Sequence, residues 1–138
     1  MLLPALFNTT VFALLGALHL FWVVRGQATA AALPTHTDGR LLFRPGPLPT
    51  LVVAAGLLGF ACLSAAGLGW PVLPTGYVRT GNGLIAGLLA LRAVGDFRFV
   101  GLTKRVKGTA FARNDTRYYT PLCLLLAFAA LWLALFAA

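Results

Sequence analysis

The chain contains no glutamate, and its only carboxylates are Asp38, Asp96 and Asp115. Catalysis by a pair of glutamates is excluded. Any acid–base work falls to the aspartates, a histidine or the tyrosines, whose pKa values burial can shift. Cysteine is nearly as scarce, with only Cys62 and Cys123. At 1.5 Å per helical residue, Cys62 falls about 20 Å along its apolar segment and Cys123 about 3 Å along another. A disulfide needs Cα atoms within about 7 Å, so free thiols are expected. No CxxC or Cys/His spacing argues for a metal. G-x-S-x-G, H-E-x-x-H and Walker loops are absent too, which removes the usual serine hydrolase, zinc protease and nucleotide signatures. No cofactor is implied.

What the chain has in abundance is apolar surface: 59% hydrophobic against 10% charged residues, outside the range of soluble domains. Its 138 residues make one domain, 1–138. A bilayer core about 30 Å thick is crossed by roughly 20 apolar residues. Four segments meet that length: Pro4–Val24, Pro49–Gly67, Gly83–Leu102 and Pro121–Ala138. The expected fold is all-α, an integral membrane bundle of four transmembrane helices.

The net charge of +8 would suggest nucleic acid in a soluble protein, but here it reads as topology. Arg25, Arg40 and Arg44 fall in the first loop, and Lys104, Arg105, Lys107, Arg113 and Arg117 in the third, while the middle loop holds Arg79. Basic short loops stay cytoplasmic. Two cytoplasmic loops and both termini outside are therefore expected, in a cytoplasmic (inner) membrane. The basic run Lys104–Gly108 would attract anionic headgroups at about 1 kcal/mol per residue. The bilayer and its headgroups are the expected partners, and nucleic acid is not. Ala28-Thr29-Ala30 has the form of a signal-peptidase site, but no basic residue precedes an apolar run too long for a signal core, so cleavage is not expected.

Local signals fill in the outline. Gly26 should cap the first helix, and Asp38-Gly39 should turn the first loop. Gly56, Gly59 and Ser64 read as a close-packing face, with Trp70 and Tyr77 at the outer interface and Pro71 and Pro74 breaking the chain there. Asn82 reads as an N-cap, with Gly83 and Gly87 as a G-x-x-x-G face that also allows a homo-oligomer. Thr120-Pro121 reads as the start of the last helix.

Charged groups inside an apolar helix cost about 2.5–3.5 kcal/mol each on insertion scales, so something must offset Arg92 and Asp96. Their i, i+4 spacing lets them pair on one face. Assuming their helices exit near Leu102 and Val24, Asp96 and His19 lie about 8–9 Å beneath the same surface. His19, Arg92 and Asp96 are thus expected to converge on the cytoplasmic half with Asp115, Tyr118 and Tyr119, flanked by Trp22 and Phe97. Each has a plainer reading. The ion pair reads equally as a packing element, His19 as a satisfied core histidine, Asp115 as a capping residue, the tyrosines as an interface belt, and Arg98, Lys104, Arg105 and Lys107 as headgroup contacts. The outer half, with Asn8, Thr9, Thr10, Arg79 and Asn82, reads as poor in polar groups away from the termini.

The segments LRAVGDFRFVG (Leu91–Gly101) and FARNDTRYYTPLCLLL (Phe111–Leu126), with Leu33-Pro34-Thr35 and then Phe43–Pro49, resemble an uncharacterised bacterial family of small four-helix membrane proteins grouped under a domain of unknown function. The resemblance implies the four-helix fold and no reaction, substrate or site residue. Three functions are compatible with the residues. The first is binding of an amphiphile (a quinone, an isoprenoid or a sterol-like lipid), with Arg92 holding its polar end and His19 and Asp96 as proton donor and acceptor should it be acted upon. The second is a structural or accessory subunit organised by the ion pair. The third is a small oligomeric transporter.

Overall fold

The computed structural model describes residues 1–26, 32–69 and 73–137. The expectations for Ala28-Thr29-Ala30, Trp70, Pro71 and Ala138 lie outside these residues. The described chain is helical: α1 Leu2–Arg25, α2 Pro47–Ala66, α3 Thr75–Val94, a short α4 Ala110–Asn114, and α5 Thr120–Phe136. A π-helical turn, Asp115–Tyr119, joins α4 to α5, so 110–136 runs as one rod. Among the described residues the extended structure is a single bridge, Thr35 to Leu41, in the first loop.

Three of the helical stretches, Leu2–Arg25, Pro47–Ala66 and Ala110–Phe136, are long and apolar enough to cross a membrane. α3 has the length, but Arg79, Asn82 and Arg92 make it less apolar. The chain packs as two hairpins. α1 lies along α2 and α3 along α5, with narrower α1–α5 and α2–α3 seams closing a four-helix bundle. Its core is small: Phe12, Ile85, Leu89 and Leu126, spaced by Ala61, Ala86, Ala127 and Ala130. Larger apolar side chains such as Leu14, Leu84, Leu91 and Phe128 face outward. In lipid there is no hydrophobic drive between helices, so small residues that admit close packing hold them together. A Cβ on Gly16 would meet Leu58 at 2.8 Å, and one on Gly81 would overlap Leu63.

Several local expectations are corrected. A Cβ on Gly56, Gly59 or Gly87 would meet nothing within 4 Å, so these glycines are not the packing contacts. On α2 the buried stripe is Ala54, Ala61 and Ser64. Asn82 is no cap: it lies mid-helix, fully buried, and its Nδ2 donates to Val78 O at 2.9 Å. α3 begins eight residues before Gly83, and Arg79 there donates to the last-turn carbonyls of Ala134 and Leu135 at 3.0 and 3.2 Å. The last helix starts at Thr109, whose hydroxyl accepts from Ala112 N at 3.0 Å. Thr120-Pro121 is interior. Pro121 has no N–H to give, and the widened turn just before it lets Thr120 N–H reach back to Asp115 O.

The largest shift is at the end of α3, which stops at Val94. Gly95, at φ 92° and ψ −168°, takes a backbone conformation open essentially to glycine, and the chain folds back on the helix it has left. Leu102 N and Thr103 N donate to Ala93 O and Val94 O at 2.8 and 3.2 Å, satisfying orphan carbonyls of the helix end. Gly101 (φ 83°) packs against Gly95 Cα, where a Cβ would approach to 2.6 Å. Asp96 is therefore a loop residue beyond the helix.

Both long loops lie at one end of the bundle, where His36 of the first meets Phe99 of the other edge to face at 5.4 Å. The hairpin geometry places the chain termini at the opposite end. Gly26 caps α1 in the left-handed conformation, and Asp38 turns the first loop by accepting from Arg40 N at 3.0 Å, both as expected.

The glycines give a paired test. Gly95→Ala puts a Cβ into the carbonyl of Val100 and should cost at least about 3 kcal/mol of stability. Gly87→Ala, in open space on a helix, should be neutral or stabilising by up to about 1 kcal/mol. Thermal unfolding of the detergent-solubilised variants checks both.

Candidate functional site

The polar residues expected to share one site divide between two places. The first is a carboxylate cluster. Arg92 does not pair with Asp96 on its own helix. Its Nη2 donates across the bundle to Asp115 Oδ1 at 2.7 Å. The other oxygen of Asp115 accepts from Lys104 Nζ at 2.9 Å and from Gly101 N at 2.8 Å. The Asp115 side chain is wholly buried and that of Lys104 4% exposed, while Arg92 keeps 32% exposure. Lys104 also donates to Gly101 O at 2.9 Å.

This overturns two readings. Lys104 is a buried counter-ion and not a headgroup contact, whereas Arg98, Arg105 and Lys107 are exposed as expected. Asp115 is not a cap but the centre of a triad tying α3, its return loop and the π-helical turn together. The geometry requires the glycine: at position 101 the backbone must come close enough for its N–H to reach the carboxylate. With two cations and an amide N–H on its two oxygens, Asp115 is satisfied, and such a carboxylate is poorly suited to take a proton from a substrate.

Asp96 does a separate job. Its Oδ1 accepts from the backbone N–H groups of Arg98, Phe99 and Val100 at 2.9, 2.7 and 2.9 Å, organising the return loop. Burial raises its carboxyl, but these N–H groups outweigh that and hold the pKa below the usual carboxylate range. The same turn forces Phe97 to φ 63°, a left-handed conformation uncommon for an aromatic residue, with the ring exposed. Tyr118 is exposed beneath the Arg117 guanidinium at 5.4 Å, and Tyr119 is half-buried against Phe111.

The second place is a cavity of about 400 Å³ between the end of α1, the first loop and the start of α2. His19, Trp22 and Val23 line it from α1, Phe43 and Pro45 from the loop, and Thr50 and Val53 from α2. Arg92, Asp96, Phe97, Asp115, Tyr118 and Tyr119 are not among its walls. α1 and α3 are not principal neighbours in the bundle, so the expected meeting of His19 with the charged residues of α3 does not occur. His19 Nδ1 lies 2.7 Å from Leu15 O, and the ring meets Trp22 edge to face at 4.9 Å. A carbonyl only accepts, so Nδ1 carries the proton, and in the neutral ring Nε2 is left as an acceptor. Thr50 Oγ1 donates to Gly46 O at 2.9 Å. Among the described residues the cavity is an apolar, aromatic-walled crevice with one versatile polar group, His19.

Sequence reasoning named three further polar residues without expecting their burial together. Asn8, Ser64 and Asn82, from three helices, are fully buried at the end away from the long loops, so polarity is not confined to one half. Their signal is faint: Ser64 is a lone polar residue among small and apolar ones, and Asn8 and Asn82 lie near expected helix ends, where polar residues are ordinary. Among the described residues no cluster of three or more His, Cys, Asp or Glu could hold a metal, and Cys62 and Cys123 are free thiols.

Residues 12–130 match a family model described as protein of unknown function (DUF3995), and the chain belongs to that family. Comparisons with curated proteins and with solved structures give no match.

The cluster predicts a non-additive mutant series. Asp115→Asn leaves Lys104 buried without its counter-charge and should cost about 3–5 kcal/mol. Replacing Arg92, Lys104 and Asp115 together by Met, Met and Leu should recover most of that loss, as thermal unfolding would show. Asp96 carries a pH signature. Its folded pKa is below the unfolded one, so its contribution is complete above about pH 4 and lost as pH falls through the folded value. Asp96→Ala should lower the melting temperature at pH 7, and the gap to wild type should close toward pH 3.

Proposed function

We propose that this member of the DUF3995 family is a small integral membrane protein that binds an amphiphilic, lipid-like molecule, a quinone, isoprenoid or sterol-like lipid, in the crevice between α1, α2 and the first loop. The observation that carries this reading is the cavity of about 400 Å³, with apolar and aromatic walls and, among the described residues, His19 as its one uncommitted polar side chain. Ligand sites of this kind combine apolar walls with few, well-placed polar groups. An amphiphile with a hydroxyl head, such as the reduced form of a quinone, fits, because Nε2 of the neutral ring accepts. The head would meet His19 Nε2, and the tail would pass between Trp22 and Val53 toward the bilayer.

The reading favours binding over catalysis. No second titratable group lines the crevice to work with His19, since Asp96 is spent on the return loop and Asp115 on its two cations. With three helices long and apolar enough to cross, we take α3 as the fourth crossing, supported by its length and its packing in the bundle. The basic loops would then face the cytoplasm, and the crevice with them.

The accessory-subunit reading keeps one specific support, the Arg92–Asp115–Lys104 cluster, whose buried carboxylate has both oxygens partnered and so has the character of a structural element. A transport path within one protomer is opposed by Ile85 and Leu89. They fill the buried face of α3 between Asn82 and Arg92, within an apolar core shared with Phe12 and Leu126.

Trp22 is a built-in reporter, and Trp70 and Trp132 are the other tryptophans of the chain. A Trp70→Phe, Trp132→Phe background, titrated in nanodiscs with a short-chain alkylated hydroquinone, whose hydroxyl can donate to Nε2, should show saturable quenching. His19→Leu should weaken it about tenfold, the loss of roughly one hydrogen bond. Val53→Phe, which fills the crevice, should abolish it. Linear, unsaturable quenching that neither substitution changes would sink the proposal.

A further inference from the structure

Asn8, Ser64 and Asn82 are each fully buried, and each keeps a side-chain oxygen with no partner among the described residues: Asn8 Oδ1, Ser64 Oγ and Asn82 Oδ1. The amide nitrogens are committed elsewhere, Asn8 Nδ2 to Leu126 O at 3.3 Å and Asn82 Nδ2 to Val78 O at 2.9 Å. Turning either amide around would only exchange an orphan oxygen for an orphan NH2 group.

The packing brings the three to one level of the bundle. Thr9 Oγ1 donates to Ala61 O at 3.4 Å, and a Cβ on Gly67 would lie 3.7 Å from Ala5 Cβ, so 5–9 of α1 runs beside 61–67 of α2. α3 also meets α2, where Gly81 abuts Leu63, which puts Asn82 and Ser64 within about a turn of one level. Asn8 reaches α5 directly through Leu126 O. Three helices thus direct polar groups into one buried region, walled from Arg92 by Ile85 and Leu89.

We infer that Asn8, Ser64 and Asn82 form an internal hydration site that holds at least one water molecule by hydrogen bonds to their side-chain oxygens. Buried polar atoms are almost always partnered, and internal waters bind where two to four polar groups converge. The chemistry selects water over a cation. The orphans are two neutral amide oxygens and a hydroxyl, which want a donor. The carboxylates that could neutralise a cation lie elsewhere: Asp38 in the first loop, Asp96 in the return loop and Asp115 in its triad. A water donating to the two amide oxygens and accepting from Ser64 would tie α1, α2 and α3 at the end of the bundle opposite the crevice.

The chain has three asparagines, Asn8, Asn82 and Asn114, so asparagine-selective 15N labelling yields an uncrowded side-chain spectrum. On the full chain in phosphatidylcholine vesicles, short-mixing magnetisation transfer from water is expected to reach the Asn8 and Asn82 amide protons. The transfer should persist in Ser64→Ala, and Asn8 should lose it when Ser64→Ala and Asn82→Leu are combined and the water keeps too few partners. Asn8 and Asn82 amides that receive nothing from water in the wild type would overturn the inference and mean that this part of the core is dry. If the double variant does not fold, the wild-type and Ser64→Ala spectra decide.

Discussion

The neutralisation of Asp115 governs much of this structure. A wholly buried carboxylate is tolerable only if charge and hydrogen bonds replace the water it has lost. Here Arg92, Lys104 and the Gly101 amide supply them, each from a different place along the chain. Arg92 must then face into the bundle from the last turn of α3. Lys104 can be buried only if the chain returns to the helix end, and that return needs Gly95 and Gly101 in left-handed conformations. Asp96 holds the turn by gathering three N–H groups. Remove the Asp115 charge, and the reason for every other member of the group disappears.

The same balance explains the positions of the remaining polar groups. In a bilayer the large apolar side chains gain little by leaving lipid, so Leu14, Leu84 and Phe128 stay outside while Ala61, Ala86, Ala127 and Ala130 form the interior. Close backbone approach and a few buried polar contacts carry helix association instead. Asn8 to Leu126 O, Thr9 to Ala61 O and Arg79 to the end of α5 are such contacts, and each joins helices distant in sequence.

How far the sequence reveals this depends on the range of each interaction. α1 and α2 are legible within two residues at their starts, because unbroken apolar runs ended by Gly26 and opened by prolines are local signals. α3 is displaced from its expected position by eight residues at both ends. Its opening, Thr-Gly-Tyr-Val-Arg-Thr-Gly-Asn-Gly, is poor helix sequence held by packing and by Arg79. Its apparent continuation through Phe99 is a return loop whose punctuation, Gly95 and Gly101, sits inside an otherwise apolar run. The i, i+4 rule selects Asp96 for Arg92 since it sees only one helix. With few carboxylates among many cations, the choice between Asp96 and Asp115 depends on a long-range fold that spacing does not encode. Nor does anything local distinguish Lys104, buried, from Arg105, exposed.

Moving Asp115 out of the His19 site changes what that site can do. A histidine beside a carboxylate can shuttle a proton; one whose Nδ1 is tied to Leu15 O offers a single contact that accepts when neutral and donates when charged. Single-point recognition within apolar walls discriminates weakly among head groups and mainly by the shape of the attached ring or tail. The edge-to-face contact of His19 with Trp22 and the prolines Pro45, Pro47 and Pro49 give the described walls of the crevice few long flexible side chains. Rigid walls lower the ordering cost of binding. Under the proposed binding role, that favours a flat ring or stiff polyene over a saturated acyl chain, and is the strongest reason to place quinones ahead of ordinary phospholipids among the proposed ligands.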